Sequence, residues 1–354
     1  MGGILNDLLM ELGIHPVLVD IGASGRPPSI WDEIAQQSIY VGFDPDLREL
    51  HEVSEGKFFR SLIVNKAVIS EKGGSQAVFY LTMSPYCSST LRPDMDSLSN
   101  YLFYNLFVVE REATVPATTL DSIMEIFSLP RIHWFKTDSQ GIDLRLFSNL
   151  PDEVRSHVLA VDIEPGLIDA YIGEDLFVDA HRYLTRNGFW LSDLKLGGSV
   201  RMRKLTLEKI TCAYPNMNSA VIERAVRTSP AWCEARYLRT TEWLNQGGFA
   251  KEDYVLLWVF AVLDKQYGFA LDLAVEYEKV WGNDSISQLM KGEPVARILQ
   301  SEHKLRKLRT LFTTLKSIVP PPVRRWVKTH ILYSAKSSRT GPLPEQGRVP
   351  GRGE

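Results

Sequence analysis

Short β-branched apolar runs alternate with helix-compatible stretches over the first two thirds of the chain. Pro16-Val17-Leu18-Val19 predicts a strand, Asp20 to Gly25 a turn, Ser29 to Ala35 a helix, and Ser38 to Phe43 a second strand ended by Asp44. Further strands are expected at Phe59 to Val68, Ala77 to Met83, Ile132 to Lys136, Val158 to Ile163 and Phe189 to Leu194. Helices are expected from Leu120 to Phe127, capped by Thr118 or Thr119, and from Leu176 to Asn187, stopped by Gly188. An amphipathic helix at the N-terminus would set Ile4, Leu8 and Leu12 against the sheet edge. This alternation predicts an α/β fold with a mainly parallel sheet covered on both faces. From about Phe249 the pattern changes to long apolar helices, Tyr254 to Phe269 and Leu271 to Trp281. The expected division is therefore an α/β domain over 1–245, a helical appendage over 246–335 and a disordered Ser/Arg/Gly/Pro-rich tail over 336–354. Ser84 to Leu98, polar and turn-rich, is expected to be a flap facing a substrate.

In an open sheet of this kind, ligands sit beyond the carboxyl ends of the strands, where Gly22, Asp44, Asp138 and Glu164 all fall. Small residues at Gly22, Ala23, Ser24 and Gly25 let a ligand approach the backbone, and Asp44 stands where a carboxylate accepts hydrogen bonds from two ribose hydroxyls. The turn lacks the G-x-G-x-x-G spacing of a pyrophosphate site and continues into Arg26-Pro27-Pro28, which disfavours a nicotinamide-dependent oxidoreductase. Asp20 before the turn would repel phosphate and suits a cationic cofactor; S-adenosylmethionine carries a sulfonium and an ammonium and no phosphate.

Hydrophobic content of 44%, charged content of 23% and a net charge of −3 fit a globular protein and give no basis for expecting a nucleic-acid partner. Cys87, Cys212 and Cys233 show no C-x-x-C spacing, which points to a reducing compartment without a disulfide frame or a zinc site. No tight Asp/His ligand spacing marks a metal site, and none is expected. Asp7 and Glu11 interrupt the N-terminal apolar stretch, so neither a signal segment nor a span is expected there and the reading is cytoplasmic. Residues 303–339 carry Lys304, Arg306, Lys307 and further cations without an acid, interleaved with leucines. That stretch fits either a solvated helix face or peripheral contact with an anionic membrane at its inner face.

Four motifs in order carry a family resemblance: Val19-Asp20-Ile21-Gly22-Ala23, Gly42-Phe43-Asp44-Pro45, Thr118-Thr119-Leu120-Asp121, and Phe135-Lys136-Thr137-Asp138-Ser139-Gln140-Gly141-Ile142-Asp143. Over roughly residues 15 to 195 the chain resembles the FkbM family of S-adenosylmethionine-dependent methyltransferases. The resemblance implies a class I methyltransferase (Rossmann-like) sheet with a final antiparallel strand, for which Ala231 to Arg239 is the candidate. It implies that Asp20 and Gly22, with Ala23 and Ser24, hold the methionine end of the cofactor and Asp44 its ribose. The family's fourth-strand motif usually reads K-I-D-V-E-G-A-E; here Gln140 replaces the central Glu and Asp143 the last.

The implied activity is O-methylation of a hydroxyl, with a sugar of a glycan, glycolipid or glycosylated metabolite as the acceptor. Asp138 would orient that hydroxyl or take its proton, or alternatively position the cofactor or cap a helix; Asp143 would contact the substrate, and Glu164, ahead of Pro165-Gly166, would either contact it or form a turn. The rival reading is a non-catalytic protein of the same fold that uses its helical appendage for partner contacts. His133, inside a strand, reads as a core histidine, and His181 as a surface group.

Overall fold

In a computed structural model, residues 3–46, 56–70, 74–246 and 248–318 are described. Among the described residues ten strands form: β1 (Val17–Ile21), β2 (Ile39–Phe43), β3 (Arg60–Val64), β4 (Ala67–Val68), β5 (Gln76–Thr82), β6 (Val109–Thr118), β7 (Trp134–Thr137), β8 (Ala160–Ile163), β9 (Phe189–Ser199) and β10 (Ser229–Arg239). Seven of them make one sheet in the order β3-β2-β1-β7-β8-β10-β9. β3 to β8 across this order are parallel, and β10 runs antiparallel to both β8 and β9. The chain therefore winds outward from β1 to β3, then restarts at β7 on the other side of β1. A crevice opens where the direction of winding reverses, at the carboxyl ends of β1 and β7. β4, β6 and β5 make a separate three-stranded sheet.

Both faces of the large sheet are covered, which is why β1 is buried along its whole length and reads as a continuous apolar run broken only by Asp20. One face packs against α1 (Ile4–Leu12) through Leu5, Leu8 and Leu9. The other packs against α2 (Leu120–Phe127), α3 (Asp143–Ser148) and α4 (Phe177–Arg186) through Ile123, Phe147 and Leu184. Thr119 caps α2 by accepting a hydrogen bond from the Ser122 backbone N–H, as its place before the helix suggests. β10 covers the segment expected to supply the final antiparallel strand.

Three expectations are corrected. The helix expected from Ser29 to Ala35 is two 3₁₀ turns, Ser29–Trp31 and Ala35–Gln37. Pro27-Pro28 leads straight into Trp31, whose fully buried indole meets Tyr40 and Trp134 edge-on and holds the connection against the sheet. In α1, Leu5 and Leu9 face inward beside Leu8 while Ile4 is exposed, and the helix lies on a face of the sheet, not its edge.

The helices after 249 also differ from an appendage. α5 (Lys251–Leu263) is buried on every side from Asp253 to Val262, and α6 (Tyr267–Trp281) adds Leu273, Ala274 and Tyr277 to the core that holds Leu18 and Trp134. A helix apolar all round belongs inside a core, and the division expected at 245/246 runs through this one. The first compact unit extends to Pro294. The second, from Val295, is helical to Ile318 as the continuation of α7 (Ser285–Ile318), with Val295, Ile298, Leu299 and Leu305 exposed. Residues 319–339 of the basic stretch and the tail over 336–354 lie outside the described residues. Among the described residues, no helix is long and apolar enough to cross a membrane.

Candidate functional site

A cleft lies at the reversal point, where an open sheet of this kind takes its ligands. Its walls come from the turns after β1, β2 and β7, from Lys66 between β3 and β4, and from Pro85 to Ser88. The last of these belongs to the segment expected to be a flap.

Gly22 makes the first turn possible. Its φ is +76° and its N–H donates to the Phe43 carbonyl at 2.9 Å. A Cβ there would lie 2.2 Å from the Asp138 carbonyl oxygen, so the turns after β1 and β7 touch through backbone alone. The Asp138 N–H returns the contact by donating to the Ile21 carbonyl at 2.9 Å. Gly22 and Ser24 line the cleft; Ala23 does not, its N–H being tied to Phe43. Asp44 lines it too, is buried, and accepts a hydrogen bond from the Asp46 N–H at 2.8 Å across the tight bend after β2.

Asp20 is elsewhere. Strand register sets it beside Lys136 of β7, and its two oxygens accept from Lys136 Nζ at 2.6 Å and from the Tyr40 hydroxyl at 3.0 Å. It is a buried cross-strand ion pair and does not line the cleft, contrary to the cofactor contact expected of it. Burial pulls the Lys136 ammonium down, but Asp20 and Asp138 together hold it above the ordinary lysine value. Burial, followed by Asp20, pushes the Tyr40 phenol up.

Asp138 and Gln140 both reach the cleft. The Gln140 amide donates to Asp138 Oδ1, while its Oε1 lies 2.8 Å from the Tyr171 hydroxyl, which also approaches the Cys87 carbonyl at 2.9 Å. Gln140 takes a φ of +57° and Gly141 follows at +114°, a left-handed pair that curls the turn back over Asp138. Burial raises the Asp138 carboxyl above its ordinary value against the opposing pull of Lys136.

Asp143 is fully buried and accepts from the Ser139 N–H at 3.1 Å and the Gly141 N–H at 3.4 Å. Burial, reinforced by Asp138, pushes it up to about 6. It shapes the turn from beneath and does not line the cleft. Glu164 lies behind Asp138, also away from the cleft lining. The substrate contacts expected of Asp143 and Glu164 are thus replaced by contacts to the turn that carries Asp138.

His133 is a core histidine: its Nδ1 accepts the Val17 N–H at 2.9 Å, and burial, then Arg131, lowers its pKa to about 3. His181 is half-buried, stacked on Phe177 and 3.1 Å from the Tyr237 hydroxyl, so it is not the surface group expected. Lys66 in the cleft wall and Tyr171 behind Gln140 complete the site without a sequence signal to mark them. Tyr171 reaches Gln140 from 31 positions away. Among the described residues, no group of three or more His, Cys, Asp or Glu is placed to hold a metal ion. No family model, curated protein or solved structure matches the chain.

Proposed function

We propose that the chain is an S-adenosylmethionine-dependent O-methyltransferase of class I architecture. The observation that carries this reading is a single crevice whose wall holds Asp44 at the end of β2 and Asp138 at the end of β7, with the Gly22 turn between them. With Asp46 also on the wall and Lys66 the one cation among the described lining residues, the crevice favours a cationic ligand over a pyrophosphate. The donor set fits the cofactor: Asp44 would accept from ribose hydroxyls, and the Gly22 and Ser24 turn lines the crevice where its amino-acid end would sit. The strand order, with β10 antiparallel, is the arrangement that the FkbM resemblance implies.

Bound S-adenosylmethionine would supply an electrophilic methyl carbon and a neutral leaving group. The chain's part is to align a hydroxyl, exclude water and receive a proton. Asp138 orients the acceptor hydroxyl and takes its proton; Pro85 and Tyr86 shield the crevice. The acceptor proposed is a sugar hydroxyl of a glycan, glycolipid or glycosylated metabolite, and contact of residues 303–339 with an anionic membrane would bring a lipid-linked acceptor within reach. Calorimetric titration with S-adenosylmethionine, S-adenosylhomocysteine and NAD tests the reading. Binding of the first two and not the third supports it; tight binding of NAD alone overturns it.

A further inference from the structure

β7 and β8 pair with Thr137 opposite Ile163, so the next residue of each strand, Asp138 and Glu164, emerge side by side at the carboxyl edge. Register sets the two half-buried side chains next to each other, and the charge on Asp138 opposes ionisation of Glu164. A proton held between two such carboxyls needs one of them as donor, because an ionised carboxylate only accepts. The Gln140 amide donates to Asp138 Oδ1, and the Tyr171 hydroxyl at Gln140 Oε1 fixes that amide's orientation. Asp138 is therefore the acceptor of the pair and Glu164 carries the hydrogen.

The surrounding charges leave the proton in place. Lys136 is engaged with Asp20, and the other titratable groups facing the pair are Asp143 of α3, Glu234 of β10, Cys87 and Tyr171. One cation thus stands among Asp20, Asp138, Asp143 and Glu164, and two adjacent carboxylates in such a setting cannot both ionise without another. Burial first, then Asp138, drives Glu164 well above the ordinary carboxyl value.

We propose that Asp138 and Glu164 share one proton while the cleft is empty and release it to solvent when a cation enters, so that the site distinguishes a sulfonium from the neutral thioether left after methyl transfer. This rests on the methyl-donor reading above. Glu164 is a positioning residue that acts through Asp138: it sets how much negative charge Asp138 presents to the cleft. Loss of the cation returns the proton to the pair and weakens the hold on the product.

The test uses the full chain, with S-adenosylmethionine and S-adenosylhomocysteine titrated near neutral pH in two buffers of different ionisation enthalpy. The two ligands share every titratable group, so the difference in protons released reports the sulfonium alone. Approximately one more proton released with S-adenosylmethionine is expected, and loss of that difference in Glu164→Gln with S-adenosylhomocysteine still bound. Equal proton counts for both ligands would overturn the shared proton and leave the methyl-donor reading standing; failure of both ligands to bind would overturn the two together. An infrared difference spectrum of the ligand-free native protein minus Glu164→Gln, or minus Asp138→Asn if that variant does not fold, gives a check without ligand: the carboxyl bands of Glu174 and Asp143 are common to both proteins, and one further protonated-carboxyl band should remain in the native protein. Its absence from the difference overturns the proposal.

Discussion

Gly22 and Asp138 meet backbone to backbone: a Cβ on residue 22 would stand 2.2 Å from the Asp138 carbonyl oxygen. Gly25, with a nearly equal φ of +77°, would place its Cβ where nothing lies within 4 Å. Substitution by alanine at the two positions separates strain from contact. Gly25→Ala should cost only the left-handed penalty of about 1–2 kcal/mol. Gly22→Ala adds a clash with main chain that no rotamer relieves, and should cost roughly 2–3 kcal/mol more. Urea unfolding of both variants checks this, and equal losses would mean that the two turns do not depend on their contact.

The first turn and the alternation of strands with helices were legible in the sequence because each rests on local chemistry. Val17 to Val19 is apolar on both faces, Gly22 meets a positive φ, and Thr119 stands one residue before its helix. What stayed hidden depends on register. The pairing of Asp20 with Lys136 comes from two strands lying side by side, and nothing within either segment distinguishes an inward carboxylate that binds a lysine from one that binds a ligand. Asp143 misled for the same reason, since the N–H groups that it accepts belong to a turn whose left-handed residues, Gln140 and Gly141, were not predicted. The apolar content of α5 was plain, but its all-round burial against the sheet follows only from the tertiary fold.

Asp20 and Lys136 should matter for stability more than for ligand binding. Asp20→Ala leaves a lysine whose side chain is 25% exposed without its partner, at a cost of about 3–5 kcal/mol. Replacing both, as Asp20→Ala with Lys136→Met, removes the stranded charge and should recover most of that loss. Chemical denaturation of the single and double variants reads the coupling directly, and a double variant no better than Asp20→Ala would argue against the pair.

Asp44→Ala should weaken binding of S-adenosylhomocysteine by roughly 1.5–3 kcal/mol, the range for hydrogen bonds lost to a charged group. Ser24→Ala, on the same wall, offers no charge and should cost less. Calorimetric affinities for both variants decide the point; unchanged affinity in Asp44→Ala would remove the ribose assignment.

Glu174 gives the pH dependence. Its Oε2 accepts from the Ala170 N–H at 2.7 Å and the Tyr171 N–H at 3.0 Å, holding the bend from which Tyr171 reaches Gln140. Burial pushes its carboxyl up to about 7 from 4.5, so between these values the folded chain binds a proton that the unfolded chain has lost. The stability that this protonated group supplies is complete below about 4.5 and disappears as pH rises through about 7. Glu174→Gln keeps an acceptor for both N–H groups and cannot ionise. Urea midpoints measured from acid to mildly alkaline pH should therefore run parallel for native protein and variant below about 4.5, and the native protein should fall behind between about 4.5 and about 7 and run parallel to the variant again above that. Asp143, pushed up to about 6, titrates in both proteins and cancels from the comparison. A difference between the two curves that stays flat from about 4.5 to about 7, or one in which the native protein gains on the variant there, would show that the Glu174 carboxyl ionises without cost in the folded chain.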